Sequence, residues 1–217
     1  NYYANVFYPK NVVISINGNI DKQKAIEDFT KIFDNKKGEK FDYTKYSIPN
    51  IITRKQVCAT VKDLKTDWII YGWQTNGVLN QKEYATLQVI DSLLGSGMSS
   101  RLFKNLRDKD GLAYQLGSQF SPHILKGSFI TYIGTNPENL DYAQKRMLEE
   151  VFRLKTEFVG SKELQEAKDK LLGHYIIGQE TNLDKATTIG WFEASGRGYK
   201  FDDQYAQLIN SVQKTIL

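Results

Sequence analysis

The run Gly95-Ser96-Gly97-Met98-Ser99-Ser100-Arg101-Leu102-Phe103-Lys104-Asn105-Leu106-Arg107-Asp108-Lys109-Asp110-Gly111-Leu112-Ala113-Tyr114 decides how the rest of the chain is read. It joins a glycine-bearing turn to a short helix and then to an extended segment. Ser99 or Ser100 suits the helix N-terminus, because a hydroxyl can accept from free backbone N–H groups. Leu102, Phe103 and Leu106 fall on one helical face and are expected in the core. Gly111 suits the left-handed residue that commonly ends a helix. Arg107 therefore stands at a helix exit and Tyr114 at a strand entrance, seven positions apart. A helix that folds back on its following strand can aim both side chains at the same space.

Working outward, residues 81–94 carry Tyr84, Leu87, Ile90, Leu93 and Leu94 at helical spacing. Before them, residues 56–64 and 68–74 read as strands joined by a tight polar turn. Residues 37–55 have few apolar anchors and read as a linker, since unstructured connections of that length are unusual inside a compact domain. Further upstream, residues 12–16 form a β-branched run, Gly18-Asn19 a turn, and Asp21 caps a helix with Ala25, Ile26, Phe29, Ile32 and Phe33 on one stripe. Downstream, residues 112–120 and 127–134 read as paired strands. Asn136 is the expected cap of the next helix, with Pro137 at its first position. Helices beginning at Ser161, at Thr181 or Asn182, and at Phe201 complete the chain. This order predicts an α+β fold of two layers, a largely antiparallel sheet with helices packed on one face.

The 217 residues can hold one large domain, or one domain and a piece of another, and a 41% hydrophobic share suffices for a packed core. The net charge of +4 is mild and no arginine-rich run appears, so no nucleic-acid partner is expected. No stretch is long and apolar enough to span a bilayer as a helix, so no membrane partner is expected. Cys58 is the single cysteine, which excludes an intrachain disulfide framework and a cysteine zinc cluster, and it reads as a small buried hydrophobe. The compartment is not fixed by these features; bacterial cytoplasm and periplasm both suit them. His123 and His174 are the two histidines and do not form His-x-x-Glu-His, the helical pattern that supplies two zinc ligands and a general base. Both read as surface or packed residues. Glu149-Glu150 and Glu163 to Glu166 read as solvated helix faces, Asp108-Lys109-Asp110 as a solvated turn, and Trp68 with some of its neighbours as sheet core instead of a peptide-stacking platform.

Taken together, the glycine-bearing turn, Ser-Arg-Leu-Phe at 100–103, Leu-Arg at 106–107 and Gly-Leu-Ala-Tyr at 111–114 resemble the second half-domain of the pitrilysin, insulysin and mitochondrial processing peptidase family of zinc metallopeptidases. The resemblance runs from about Asn11 to the last helix. Tyr8, Pro9 and Asn11, followed by the apolar run and Gly18-Asn19, resemble the unit that closes a half-domain. The layout this implies is 1–36 as the closing strand-helix unit of a preceding zinc-bearing half, 37–55 as linker, and 56–217 as the second, non-zinc half-domain without its last strand and helix.

The resemblance implies a function as well. This chain would be the substrate-binding, non-metal portion of a zinc endopeptidase that cuts peptides or unfolded proteins. It would bind no metal and be inactive alone, with zinc held by the other half. Its partners would be the peptide and either the zinc-bearing half or a homologous partner subunit. Arg107 and Tyr114 would reach across the cleft as catalytic residues, while Gly95, Gly97, Met98 and Ser99 would contact the substrate. The chemistry suits these types. A tyrosine phenol keeps its proton at neutral pH, and a preorganised donor at a developing oxyanion is worth about 3–4 kcal/mol. An arginine fork can hold a carbonyl or the phenol in place. The alternative within the family is a non-catalytic structural or partner subunit; a small-molecule-binding domain is a third reading. One expectation concerns the sheet edge. Residues 12–16 would add to the second half's sheet, within the chain or swapped into a neighbouring copy as a homo-oligomer, and helix 21–33 would cover the exposed face.

Overall fold

Lys126–Thr135 alternates half-buried and buried residues over most of its length, and this strand (β3) becomes the centre of the sheet. Asp67–Asn76 (β1) and Gln115–Ser121 (β2) flank it, both antiparallel, in the order β1-β3-β2. The structure, a computed structural model, describes residue 7 and residues 9–33 and 65–214. The linker expected at 37–55, the strand expected at 56–64 with Cys58, and Tyr8 lie outside the described residues.

Period-two alternation aims Phe129, Thr131 and Ile133 to one face, where all three are buried. Two helices cover that face, Gln81–Leu94 (α2) and Leu140–Thr156 (α3). Tyr84 of α2 packs its ring 5.9 Å from Phe120 of β2, and Gln144 of α3 donates to the Tyr71 hydroxyl of β1. Leu94, Leu102, Leu106, Ile133 and Met147 are wholly excluded from solvent. At about 1.5–3 kcal/mol for each large apolar side chain fully buried, these contacts carry the layer. The fold is therefore α+β, with an antiparallel sheet, three-stranded among the described residues, and helices packed against it.

The register overturns the expectation that Trp68 is core. Trp68 pairs with Gly134 on the face away from α2 and α3 and remains 52% exposed, beside Ile70 at 63%. Its indole lies over Gly134, where an added Cβ would stand 3.2 Å from the ring. Tyr132 lies over Gly117 in the same way, its hydroxyl 2.8 Å from the place of a Cβ. The two aromatics tile bare glycines of the neighbouring strands.

Ser161–Ile177 (α4) and Phe201–Asn210 (α6) follow. Lys168 donates its ammonium to Asn210 O at 2.9 Å and to Val212 O, serving carbonyls left open where α6 ends. Glu150 corrects a second expectation. It is 1% exposed instead of solvated, because Arg153 on its own helix reaches it at 3.0 Å and Arg146 at 3.9 Å. A carboxylate can be buried where such cations supply the charge that water would otherwise screen.

The chain divides into two units, one of residues 1–49 with 176–204, the other of 50–175 with 205–217. In the first, Asp21 Oδ1 accepts from Lys24 N–H at 3.0 Å and starts Lys22–Phe33 (α1) as expected. Thr181 and Asp184 form a capping box at the start of Asn182–Ala194 (α5). Residues 12–16 are not a strand and have no sheet partner among the described residues. Gly190 of α5 has no side chain, and Ser15 Cβ stands 3.0 Å from where its Cβ would be. Among the described residues, none of 12–16 pairs with the sheet as expected, and α1 buries none of its residues.

Candidate functional site

Gly95 ends α2, its N–H bonded to Asp91 O at 3.1 Å. It is buried hard against β2: a Cβ there would fall 2.0 Å from Ser118 N. Only glycine lets the two backbones approach so closely. The chain then turns outward through Gly97, at φ +75°, and Met98, 76% exposed. Lys170 of α4 fastens the base of this loop. Its ammonium donates to Ser92 O at 2.5 Å, Ser96 O at 2.6 Å and Ser99 Oγ at 3.3 Å. Of the four loop residues singled out in the sequence, Gly97, Met98 and Ser99 lie at the surface, and Gly95 is the buried anchor.

Neither serine serves as the expected cap. Ser100 is buried and donates its hydroxyl to Gly97 O at 2.7 Å, while Ser99 accepts from Lys170. The helix that follows is not an α-helix. Phe103–Lys109 is a π-helix, continued by Asp110 N–H to Asn105 O at 3.2 Å, five residues back. Neighbours brace this wider turn. Arg101 grips Glu163 of α4 through two parallel bonds of 2.6 and 2.7 Å. Asp110 accepts from Arg146 of α3 at 2.8 Å, so the expected solvated turn is partly an ion pair. Leu112 N–H returns to Leu106 O at 2.8 Å.

Arg107 projects from the π-helix into solvent with its guanidinium 4.8 Å over the Phe103 ring. Tyr114 opens β2. Its N–H bonds Gly134 O at 3.0 Å, its ring is 60% exposed, and its hydroxyl donates to Asn136 Oδ1 at 2.9 Å. It lines an open hollow with Lys65, Thr66, Asn136, Pro137 and Glu138; Arg107 is not among the residues lining it. The sequence reading missed Asn136, which looked like a helix cap. Its side chain makes no capping bond to the short 3₁₀ turn Pro137–Asn139. No local signal distinguishes the two uses, because the partner lies 22 residues away.

Residues 1–171 match the family model of the peptidase M16 inactive domain. The chain belongs to the peptidase M16 family. This M16 inactive domain is 29% identical over 206 residues to an uncharacterised zinc protease of Rickettsia felis, covering 94% of this chain and 48% of that protein. An uncharacterised zinc protease of Bacillus subtilis is 29% identical over 211 residues, 97% of this chain and 50% of the relative. The crystal structure of a protease from Helicobacter pylori shares the fold at a TM-score of 0.78, with 21% identity over 92% of this chain and 49% of that one. The M16 inactive domain thus spans about half the length of the curated relatives it matches. Those relatives are named for zinc. Among the described residues of this domain, no group of three or more His, Cys, Asp or Glu could hold a metal ion. Its described side chains do not make a zinc site.

Proposed function

We propose that this chain is the substrate-binding, non-metal half of a zinc endopeptidase acting on peptides or unfolded proteins. Tyr114 donates to the carbonyl oxygen of the bond being cut, Arg107 holds the neighbouring peptide, and the exposed loop tip at residues 97–99 contacts the substrate. In this reading the zinc belongs to the other half. The observation that carries it is the exposed Tyr114 phenol, fastened at its backbone to β3 and presented at an open hollow. A fixed, neutral donor of this kind acts where charge develops and needs no reorganisation as the bond breaks. The proposed layout is 1–36 as the closing unit of the preceding half, 37–55 as linker and 56–217 as the second half. Its support is the apolar face of α1, where Ile26, Phe29 and Ile32 are 50%, 36% and 57% exposed.

The test is Tyr114→Phe in the complete peptidase, assayed on an unfolded protein. The phenol acts mainly in the transition state, so kcat falls by about 100-fold and KM moves little. Unchanged kcat removes Tyr114 from the mechanism. A complete protein that hydrolyses no peptide, whatever residue stands at 114, favours the non-catalytic partner subunit.

A further inference from the structure

Asn136 occupies a helix-capping position without capping. Its backbone is extended, φ −67° and ψ 145°, and no bond runs from its side chain to the turn it precedes. The main chain closes that turn alone, Asn139 N–H to Asn136 O at 2.9 Å. The carboxamide is left to Tyr114, whose hydroxyl donates to Oδ1 at 2.9 Å. Tyr114 is therefore tied twice to one short stretch, through its N–H to Gly134 O and through its hydroxyl to Asn136. A ring 60% exposed has few packing contacts to hold its rotamer. The second tether supplies that restraint.

We propose that Asn136 is a positioning residue that aims the Tyr114 hydroxyl at the substrate carbonyl. The proposal rests on the reading of Tyr114 given above. A carboxamide suits the task because it carries both an acceptor and donors. Before substrate arrives, Oδ1 accepts the hydrogen bond that the phenol donates. When the carbonyl oxygen arrives, rotation about the phenol C–O bond turns the phenolic proton to it without moving the ring. Rotation of the carboxamide then brings an N–H to the phenolic oxygen. In that chain each hydrogen bond polarises the next, and the phenol becomes a better donor as negative charge builds.

A double-mutant cycle in the complete peptidase tests this, with Asn136→Ala made alone and with Tyr114→Phe. Misplacement of a reacting group by ~1 Å costs up to about 100-fold in rate. Asn136→Ala alone is therefore expected to lower kcat by at least about 10-fold with KM nearly unchanged. In the Tyr114→Phe background it should change kcat by less than about 2-fold, since no hydroxyl remains to aim. A merely structural role gives equal losses in both backgrounds and overturns the assignment, as does full activity of Asn136→Ala. Where Asn136→Ala lowers Tm, the near-isosteric Asn136→Asp repeats the cycle on a folded protein. Asp keeps the tether but cannot donate, so it too should lower kcat in the Tyr114 background alone. A costly Tyr114→Phe beside a silent Asn136→Ala sinks this proposal only; a silent Tyr114→Phe sinks the underlying reading and this one with it.

Discussion

Asp91 and Glu163 are two carboxylates that the fold treats in opposite ways. Burial beneath the loop pushes the Asp91 carboxyl above its ordinary 3.8, with the Ser118 hydroxyl, the Phe120 N–H and Lys170 pulling part of the way back. The bidentate Arg101 fork holds Glu163 below its ordinary 4.5, against a smaller opposing effect of burial. The linkage signs follow. A raised carboxylate contributes stability that is present below its unfolded value and lost as pH rises through the folded one. A depressed carboxylate contributes stability that is present above its unfolded value and lost as pH falls through the folded one. Asp91→Asn keeps an acceptor for Ser118 and removes the first loss. Its Tm should exceed wild type at neutral pH, the gap closing as pH falls below 3.8. Glu163→Gln should lower Tm at neutral pH by leaving Arg101, 8% exposed, without its countercharge. That gap should narrow as pH falls below 4.5. Thermal melts of the three proteins across pH measure both, and like-signed shifts would contradict the assignment. Neither partner was legible in the sequence, since Asp91 meets Ser118 across 27 residues and Arg101 meets Glu163 across 62.

The loop and the π-helix show how far an element can be read from its own residues. Asp21 as a cap, the limits of α2 and the pairing of β2 with β3 follow from side-chain period and capping chemistry. The π-helix does not, because no side-chain pattern marks a five-residue backbone ladder. It depends on Arg146, Glu163 and the return of Leu112 N–H to Leu106 O. The loop glycines read alike in sequence but differ in what they do. Gly95→Ala drives a Cβ into the Ser118 backbone and should cost about 3 kcal/mol or more, at the upper end of overpacking. Gly97→Ala meets nothing within 4 Å. It has only its positive φ to contend with, an expected loss of about 1–2 kcal/mol. Urea unfolding separates the two, and equal losses would refute the anchor role of Gly95.

At the scale of the whole molecule, the exposed apolar groups of the first unit are the main loose end. Val12, Val13, Ile14 and Ile16 are 40–48% exposed, and the α1 stripe adds Ile26, Phe29 and Ile32. If residues 1–36 close the preceding half, that half separately expressed should co-purify with this chain. Ile26→Glu with Ile32→Glu, on an exposed helix face, should abolish capture with little change in Tm. Capture that survives both substitutions, or self-association in place of it, would remove the proposed layout.

The sequence by itself determined the α+β class, most helix limits and the family to which the chain belongs. These rest on local periodicity, caps, and a run of residues from Ser100 to Tyr114 whose order survives any packing. Only the tertiary structure decided which sheet face Trp68 occupies, that Glu150 is buried, that residues 12–16 lie beside α5, and that the Asn136 side chain serves Tyr114 in place of a helix. Glu150 turns on which face of α3 packs inward, its cations lying on the same helix; the others turn on a partner distant in the chain or on strand register, where a shift of one residue exchanges the two faces.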